Sequence, residues 1–327
     1  MKATAKAHPI QGLVKYHGMR NERLRQPYHD SISVCTAPSH SKTTVEFDLD
    51  LDEDIYVVDG EELSGHAHDR VHAVVEEARS RSEEPHAVYP VRLESENNFE
   101  SNVGFGSSSS GFAAAAMATA EAAGLDATHS DISTIARLGS SSAARAVTGG
   151  FSDLRAGLND DDCRSHRIET DLEDDLRVVA GLVPAYKETE EAHREAADSH
   201  MFEARLAHVH DQLAEVRDGL RSGDFNRVFE TAEHDSLSLA ATTMTGPAGW
   251  VYWQPETLAI FEAVRDLRND EDVPVYFSTD TGASVYVNTN ADHVDRVEEA
   301  VADCGVETHV WEVGGPAEIL DEDEALF

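Results

Sequence analysis

Lysine is nearly missing from this chain. Only Lys2, Lys6, Lys15, Lys42 and Lys187 occur among 26 basic residues, against 63 acidic ones, and the net charge is −37 over 327 residues. Such a field repels nucleic-acid phosphates and anionic membranes, so neither is an expected partner, and any anionic ligand must be held by local cations. The acids are scattered through amphipathic segments and form no tail, which places them on a folded surface. Excess Asp and Glu with scarce lysine suits a high-salt cytoplasm, where screening shortens the range of self-repulsion. A halophilic archaeon or bacterium is the expected source.

Cysteine is equally scarce. Cys35, Cys163 and Cys304 are odd in number and far apart, which argues against a disulfide framework and a cysteine metal site. Long apolar runs are missing too: none approaches the roughly 18 residues of a membrane helix, and the N-terminal residues lack the apolar core of a signal peptide. A cytoplasmic chain is expected. The length accommodates two domains of ordinary size.

What the chain does contain is a small-residue stretch, Gly104-Phe105-Gly106-Ser107-Ser108-Ser109-Ser110-Gly111, running into an alanine-rich helix. Glycines let backbone N–H groups approach an anion, serines add hydroxyl donors, and a helix N-terminus adds partial positive charge. On its own the stretch fits a phosphate cradle and a flexible connector equally. A second such loop, Gly139-Ser140-Ser141-Ser142-Ala143-Ala144-Arg145, follows about forty residues on, so the pair reads as two sides of one site.

Around these loops, alternation predicts strands over 31–36, 43–49 and 54–58, then a helix over 63–81, a strand over 87–95 and a helix near 131–138. After a charged turn at 160–166, a strand is expected over 176–183. Phe202, Leu206, Val209, Leu213, Val216 and Leu220 form the stripe of an amphipathic helix. Helices over 225–239 and 256–268, two strands within 273–288 joined by a tight turn at Thr281-Gly282, a helix over 291–303 and a strand over 306–313 complete an α+β pattern. His66/His68 and His208/His210 have zinc-like spacing, but the second pair diverges on a helix and the first lies in an acidic surface segment, so solvated histidines are expected and no metal site is assigned.

Five segments resemble, in order, motifs of the diphosphomevalonate decarboxylase branch of the GHMP kinase superfamily. Lys15-Tyr16-His17-Gly18-Met19-Arg20-Asn21 resembles KYWGKRD, and Pro27 with Ser31-Ile32-Ser33-Val34 resembles LPxNSSxSV. Gly104 to Phe112 is similar to GLASSAAGF, Ala136 to Arg145 with Gly149-Gly150-Phe151 to ARxGSGSAxR…GGF, and Phe277 to Gly282 to FDAGPN. The resemblance implies a GHMP kinase fold, with a ribosomal-S5-like domain over 1–172 and a ferredoxin-like domain over 173–327, and a homodimer. It also implies ATP and Mg2+ as cofactors and a phosphorylated mevalonate as substrate.

By the same resemblance Asp280 is the base for the substrate 3-hydroxyl, Lys15 keeps it ionised, and Arg145 clamps the substrate carboxylate. Gly104, Gly106, Ser107, Ser108, Ser109, Ser110 and Gly111 would hold ATP, with Tyr16, Ser140 and Ser142 reaching the substrate. Two departures bear on the substrate. Met19 stands where the family has a second lysine, and Glu190-Glu191 offers carboxylates where relatives offer Ser or Arg. Both favour a single phosphate, hence (R)-5-phosphomevalonate decarboxylation to isopentenyl phosphate. The 5-diphosphate decarboxylase, a mevalonate 3-kinase and a non-catalytic phosphometabolite-binding protein are the alternatives.

Overall fold

The computed structural model describes residues 1–99, 107–184 and 193–327. Its first sheet has the order β16 (Glu318–Leu320), β1 (Lys2–Ala7), β6 (Ser41–Phe47), β9 (Val91–Asn97), β7 (Ile55–Val58) and β8 (Glu61–Glu62). Only β7 and β9 are parallel among these pairs, and the helix α1 (Gly65–Arg81) supplies the crossover that parallel pairing requires.

The second sheet runs β11 (Ser165–Ile168), β10 (Phe151–Leu154), β5 (Ser31–Ala37), β15 (Glu307–Val313), β12 (Leu176–Leu182), β14 (Val285–Asn290) and β13 (Val275–Ser278), with β2 (Ile10–Val14) also paired to β5. Strands from both sides of residue 172 thus share one sheet. A small hairpin, β3 (Met19–Asn21) with β4 (Gln26–Pro27), stands apart from both sheets. The further helices that lie within the described residues include α2 (Ser107–Ala122), α3 (His129–Gly139), α4 (Ala143–Thr148), α5 (Phe202–Ser222), α6 (Phe225–Met244), α7 (Pro255–Asp270) and α8 (Val294–Ala302).

Strand β5 is buried on both faces, and its period of two divides two cores. Ile32 and Val34 pack with Leu13, Val14, Leu176 and Val178 and with the α5 stripe Val209, Leu213, Val216 and Leu220. Cys35 joins a core of alanines from α2, α3 and α4. Small side chains let these helices come close to the strands, so the serine loops are carried by tightly packed elements. After β15, the chain passes Gly314 to Pro316 and returns to β1 as β16. A Cβ on Gly149, whose φ is +67°, would lie 2.2 Å from the Pro316 nitrogen, which explains the glycine there.

Several elements depart from expectation. Strands β1 and β2 were not foreseen; β2 is buried throughout and shows no alternation. The strand expected over 87–95 starts at Val91, because Pro85 opens a 3-10 turn over Pro85–Val88 and Pro90 cannot donate to a ladder. The tight turn at Thr281-Gly282 is instead a loop over 279–284, since β13 and β14 pair only up to Ser278↔Tyr286. Its polar groups bond outward: Val183 N–H donates to Ser284 Oγ at 3.1 Å and Thr257 Oγ1 to the Ala283 carbonyl at 2.7 Å. The second helix begins inside the serine run, so Ser107 to Gly111 form its first turn instead of a preceding loop.

Candidate functional site

The site is built around the end of β2. Lys15 is buried, and its Nζ donates to Ser236 Oγ and Ser278 Oγ, each at 3.0 Å. Its backbone N–H donates to Asp235 Oδ2 at 2.9 Å, and the same oxygen lies 3.9 Å from Nζ. Arg205 completes the support, donating to the Lys15 carbonyl at 2.6 Å and to Asp235 Oδ1 at 3.0 Å, with both side chains buried. Burial pushes the Lys15 ammonium below the usual lysine range, opposed by the charges of Asp235 and then Asp280.

Asp280 follows β13 and reaches the same place. A Cβ on Gly12 would fall 2.7 Å from Lys15 Cγ and 3.0 Å from Asp280 Oδ1, so the two side chains meet over a strand residue that has none. Ser278 Oγ, 3.3 Å from the Gly12 carbonyl, closes the base of this pocket.

Arg145 projects from α4 and is buried. Its guanidinium carbon lies 5.5 Å from the Tyr16 ring centre, and its charge interacts with Tyr16, Asp280 and Asp153. Burial lowers its pKa, and Nε and Nη1 make no hydrogen bond to any described residue. Ser31 and Ser33, on the face of β5 opposite Ile32 and Val34, also have buried hydroxyls with no partner among the described residues. An anion would satisfy the Arg145 donors.

Beside this pocket opens a cleft of about 410 Å³ lined by Tyr16, Met19, Arg25, Arg70, Ser108, Ser140 and Ser142, among others. Ser140 and Ser142 share a hydroxyl hydrogen bond of 2.8 Å, and His193 stacks on Tyr16 at 4.8 Å. An apolar hollow of about 220 Å³, lined by Val58, Leu63, Leu93, Phe112 and Ala115, adjoins it and shares Arg70 and Ser108.

The expected site residues fall into three groups. Lys15, Asp280, Arg145, Tyr16, Ser140, Ser142 and Ser108 gather at the pocket and cleft, and Gly111 lines the apolar hollow. Ser109 and Ser110 are buried against the strands, with Ser109 Oγ accepting from Ile10 N–H at 3.2 Å and Ser110 Oγ bonded to Ser41 Oγ at 2.7 Å. Gly104, Gly106, Glu190 and Glu191 lie outside the described residues; of Ser107 only the backbone is described.

Sequence reasoning missed Gly12, Asp235, Arg205, Ser236 and Ser278. One signal was present: Asp235-Ser236 interrupts the buried face of α6 between Ala232 and Leu239. His208, expected to be solvated, bonds to Ser238 Oγ and the Ala204 carbonyl, each at 2.8 Å. Asp54, His72 and Glu76 bring potential metal ligands within 4.8 Å of one another. The Arg79 guanidinium already bridges Asp54 and Glu76, so a cation stands there.

Known proteins resemble the chain over its whole length. The profile of the diphosphomevalonate decarboxylase-like N-terminal domain matches residues 7–165. The chain is 73% identical over 327 residues, all of both chains, to the phosphomevalonate decarboxylase of Haloferax volcanii. Its structure resembles that of mevalonate diphosphate decarboxylase from Staphylococcus aureus with a TM-score of 0.91 and 25% identity, covering 98% of each chain. It also resembles MDDEF in complex with MVAPP, AMPPCP and magnesium, with a TM-score of 0.90 and 26% identity over 98% of this chain and 99% of the other.

Proposed function

The chain belongs to the phosphomevalonate and diphosphomevalonate decarboxylase family, and from that premise we propose that it converts (R)-5-phosphomevalonate and ATP to isopentenyl phosphate, ADP, phosphate and CO2. The observation that carries the chemistry is the meeting of Lys15 and Asp280 over Gly12, with the charge of buried Arg145 acting on both. Full-length similarity to a phosphomevalonate decarboxylase supports the choice of substrate, as does uncharged Met19 in the cleft.

A tertiary alcohol is a poor nucleophile and hydroxide a poor leaving group, so the elimination needs prior phosphorylation. Asp280 accepts or orients the 3-hydroxyl proton while that oxygen attacks the γ-phosphorus and the bond to ADP breaks. Lys15 holds Asp280 ionised and offsets charge moving through the phosphoryl group. Arg145 orients the carboxylate through a guanidinium fork whose Nε and Nη1 have no other described partner. The bond between the carboxylate carbon and C2 then breaks; its electrons form the C2–C3 double bond, the C3–O bond releases phosphate, and CO2 departs. Ser108 at the start of α2 and the apolar hollow suit the phosphates and base of a nucleotide. Mg2+ would accompany ATP and neutralise its phosphates.

One observation favours the 5-diphosphate as the alternative substrate: Arg25, Arg70 and Arg194 all line the cleft. The test offers purified protein ATP and Mg2+ in high salt with mevalonate, its 5-phosphate and its 5-diphosphate separately, following ADP and CO2. Turnover of the monophosphate well above the diphosphate is expected. The reverse order moves the assignment to the alternative, ADP without CO2 makes the protein a kinase, and neither product leaves a binding role. The proposal extends to a homodimer in a high-salt cytoplasm, tested by sedimentation across salt concentrations; no described helix is long and apolar enough to cross a membrane.

A further inference from the structure

The cleft receives arginines from different elements, and their surroundings separate their roles. Arg70 stands on α1, donates Nε to the Gly139 carbonyl at 2.8 Å and covers the Phe112 ring at 4.6 Å. It lines the apolar hollow as well as the cleft, which puts it on the nucleotide side. Arg25 belongs to the turn between β3 and β4, close enough to Tyr16 for its charge to act on the phenol. It lines the cleft without lining the hollow, which puts it on the substrate side.

The backbone at Arg25 is unusual. Its φ is +48°, the left-handed region that glycine tolerates and a long side chain adopts at a cost. The surroundings enforce it: Arg25 N–H donates to the Glu22 carbonyl at 3.2 Å, and the Arg25 carbonyl accepts from Ser141 Oγ at 2.6 Å. Ser141 is fully buried between the cleft-lining Ser140 and Ser142. The strained turn is therefore tied to the serine loop of the substrate pocket. Met19, on the other strand of the hairpin, brings no charge, and Glu22 brings a negative one. The hairpin thus supplies a single cation to the cleft.

We propose that Arg25 binds the phosphate of the 5-phosphorylated substrate, its turn held by Ser141 so that the guanidinium faces the cleft across from the nucleotide. This rests on the substrate reading given above. A guanidinium fork presents paired N–H donors to phosphate oxygens, and the arrangement places that fork in an otherwise strongly acidic protein.

The test is Arg25→Gly, which removes the cation while relieving the left-handed strain. The expected result is a Tm equal to or above wild type, with KM for 5-phosphomevalonate raised on the order of 30-fold and KM for ATP within about twofold. Arg25→Lys should fall between, keeping charge without the fork. An unchanged KM for 5-phosphomevalonate in Arg25→Gly overturns the proposal, and so does a rise confined to KM for ATP. Should wild type turn over neither phosphorylated mevalonate, the substrate reading fails by itself. Calorimetric titration of wild type and Arg25→Gly with 5-phosphomevalonate then still decides: weaker binding to the variant supports the role of Arg25, and equal or absent binding ends it.

Discussion

Gly12 and Asp280 compete for one small volume: a methyl group on Gly12 would sit 3.0 Å from Asp280 Oδ1, and 2.7 Å from Lys15 Cγ. Gly12 lies inside β2, so alanine there conflicts with these neighbours and not with the strand conformation. The displaced groups are the proposed base and its ammonium partner. Gly12→Ala should therefore lower kcat on the order of 100-fold through misplacement alone, with KM for ATP and the circular-dichroism spectrum close to wild type. Full kcat in this variant would remove Asp280 as the base.

Asp235 holds Lys15 by its backbone and faces its ammonium at 3.9 Å. The charged groups acting on that ammonium are Asp235 and Asp280, which favour its protonation, and Arg205 and Arg145, which oppose it. Asp235→Asn removes the larger favourable charge, so the alkaline limb of the kcat profile should move to lower pH. Arg205 would then be buried without its carboxylate, and stability should fall by about 3–5 kcal/mol. Denaturant unfolding measures that loss, and the pH profile of the folded fraction measures the charge effect. An unmoved alkaline limb would mean that Asp235 acts on the fold alone.

How much of this was legible in the sequence follows from the reach of each interaction. The α5 stripe could be read because Val209, Leu213, Val216 and Leu220 face one core at helical spacing. Lys15, Arg145 and Asp280 stood out through their motifs. Arg205 was illegible because a charged residue on a helix ordinarily reads as solvent-facing, and Asp235 showed only as a polar break in the apolar face of α6; the packing of α5, α6 and β2 makes their buried pair. The loop over 279–284 was misread for the same reason, its hydrogen bonds going to Val183 and Thr257. Gly12 is an ordinary strand glycine until Asp280, remote in the chain, arrives above it.

His29 predicts a loss of stability in mild acid. It is buried, and burial followed by the charge of Arg205 brings its pKa from 6.5 to about 4, against a hydrogen bond with the Asp30 carbonyl. Between these values the unfolded chain takes up a proton that the folded chain refuses, so folding stability is complete above pH 6.5 and declines as pH falls towards 4. The slope is about 1.4 kcal/mol per pH unit for the one proton. Burial depresses His17 in the same direction. Unfolding midpoints of His29→Gln should depend less on pH across this window than those of wild type. Parallel curves would show that the charge of His29 does not govern the acid limb.

Arg145 joins a demand of function to a burden on the fold. Its Nε and Nη1 are buried without hydrogen bonds to the described residues, and burial lowers its pKa, so the isolated protein carries a charge that is poorly compensated there. In the proposed reaction a substrate carboxylate would supply the missing acceptors. Arg145→Gln should accordingly leave Tm unchanged or raise it, while kcat/KM falls on the order of 100-fold or more. ATP should bind with near wild-type affinity, since neither Arg145 nor any other residue of α4 lines the apolar hollow. Thermal melts with and without substrate separate the two effects: wild type should gain stability from 5-phosphomevalonate and Arg145→Gln should gain little. A variant that melts early and still shifts with substrate would mean that Arg145 serves the fold, leaving the carboxylate to be held elsewhere.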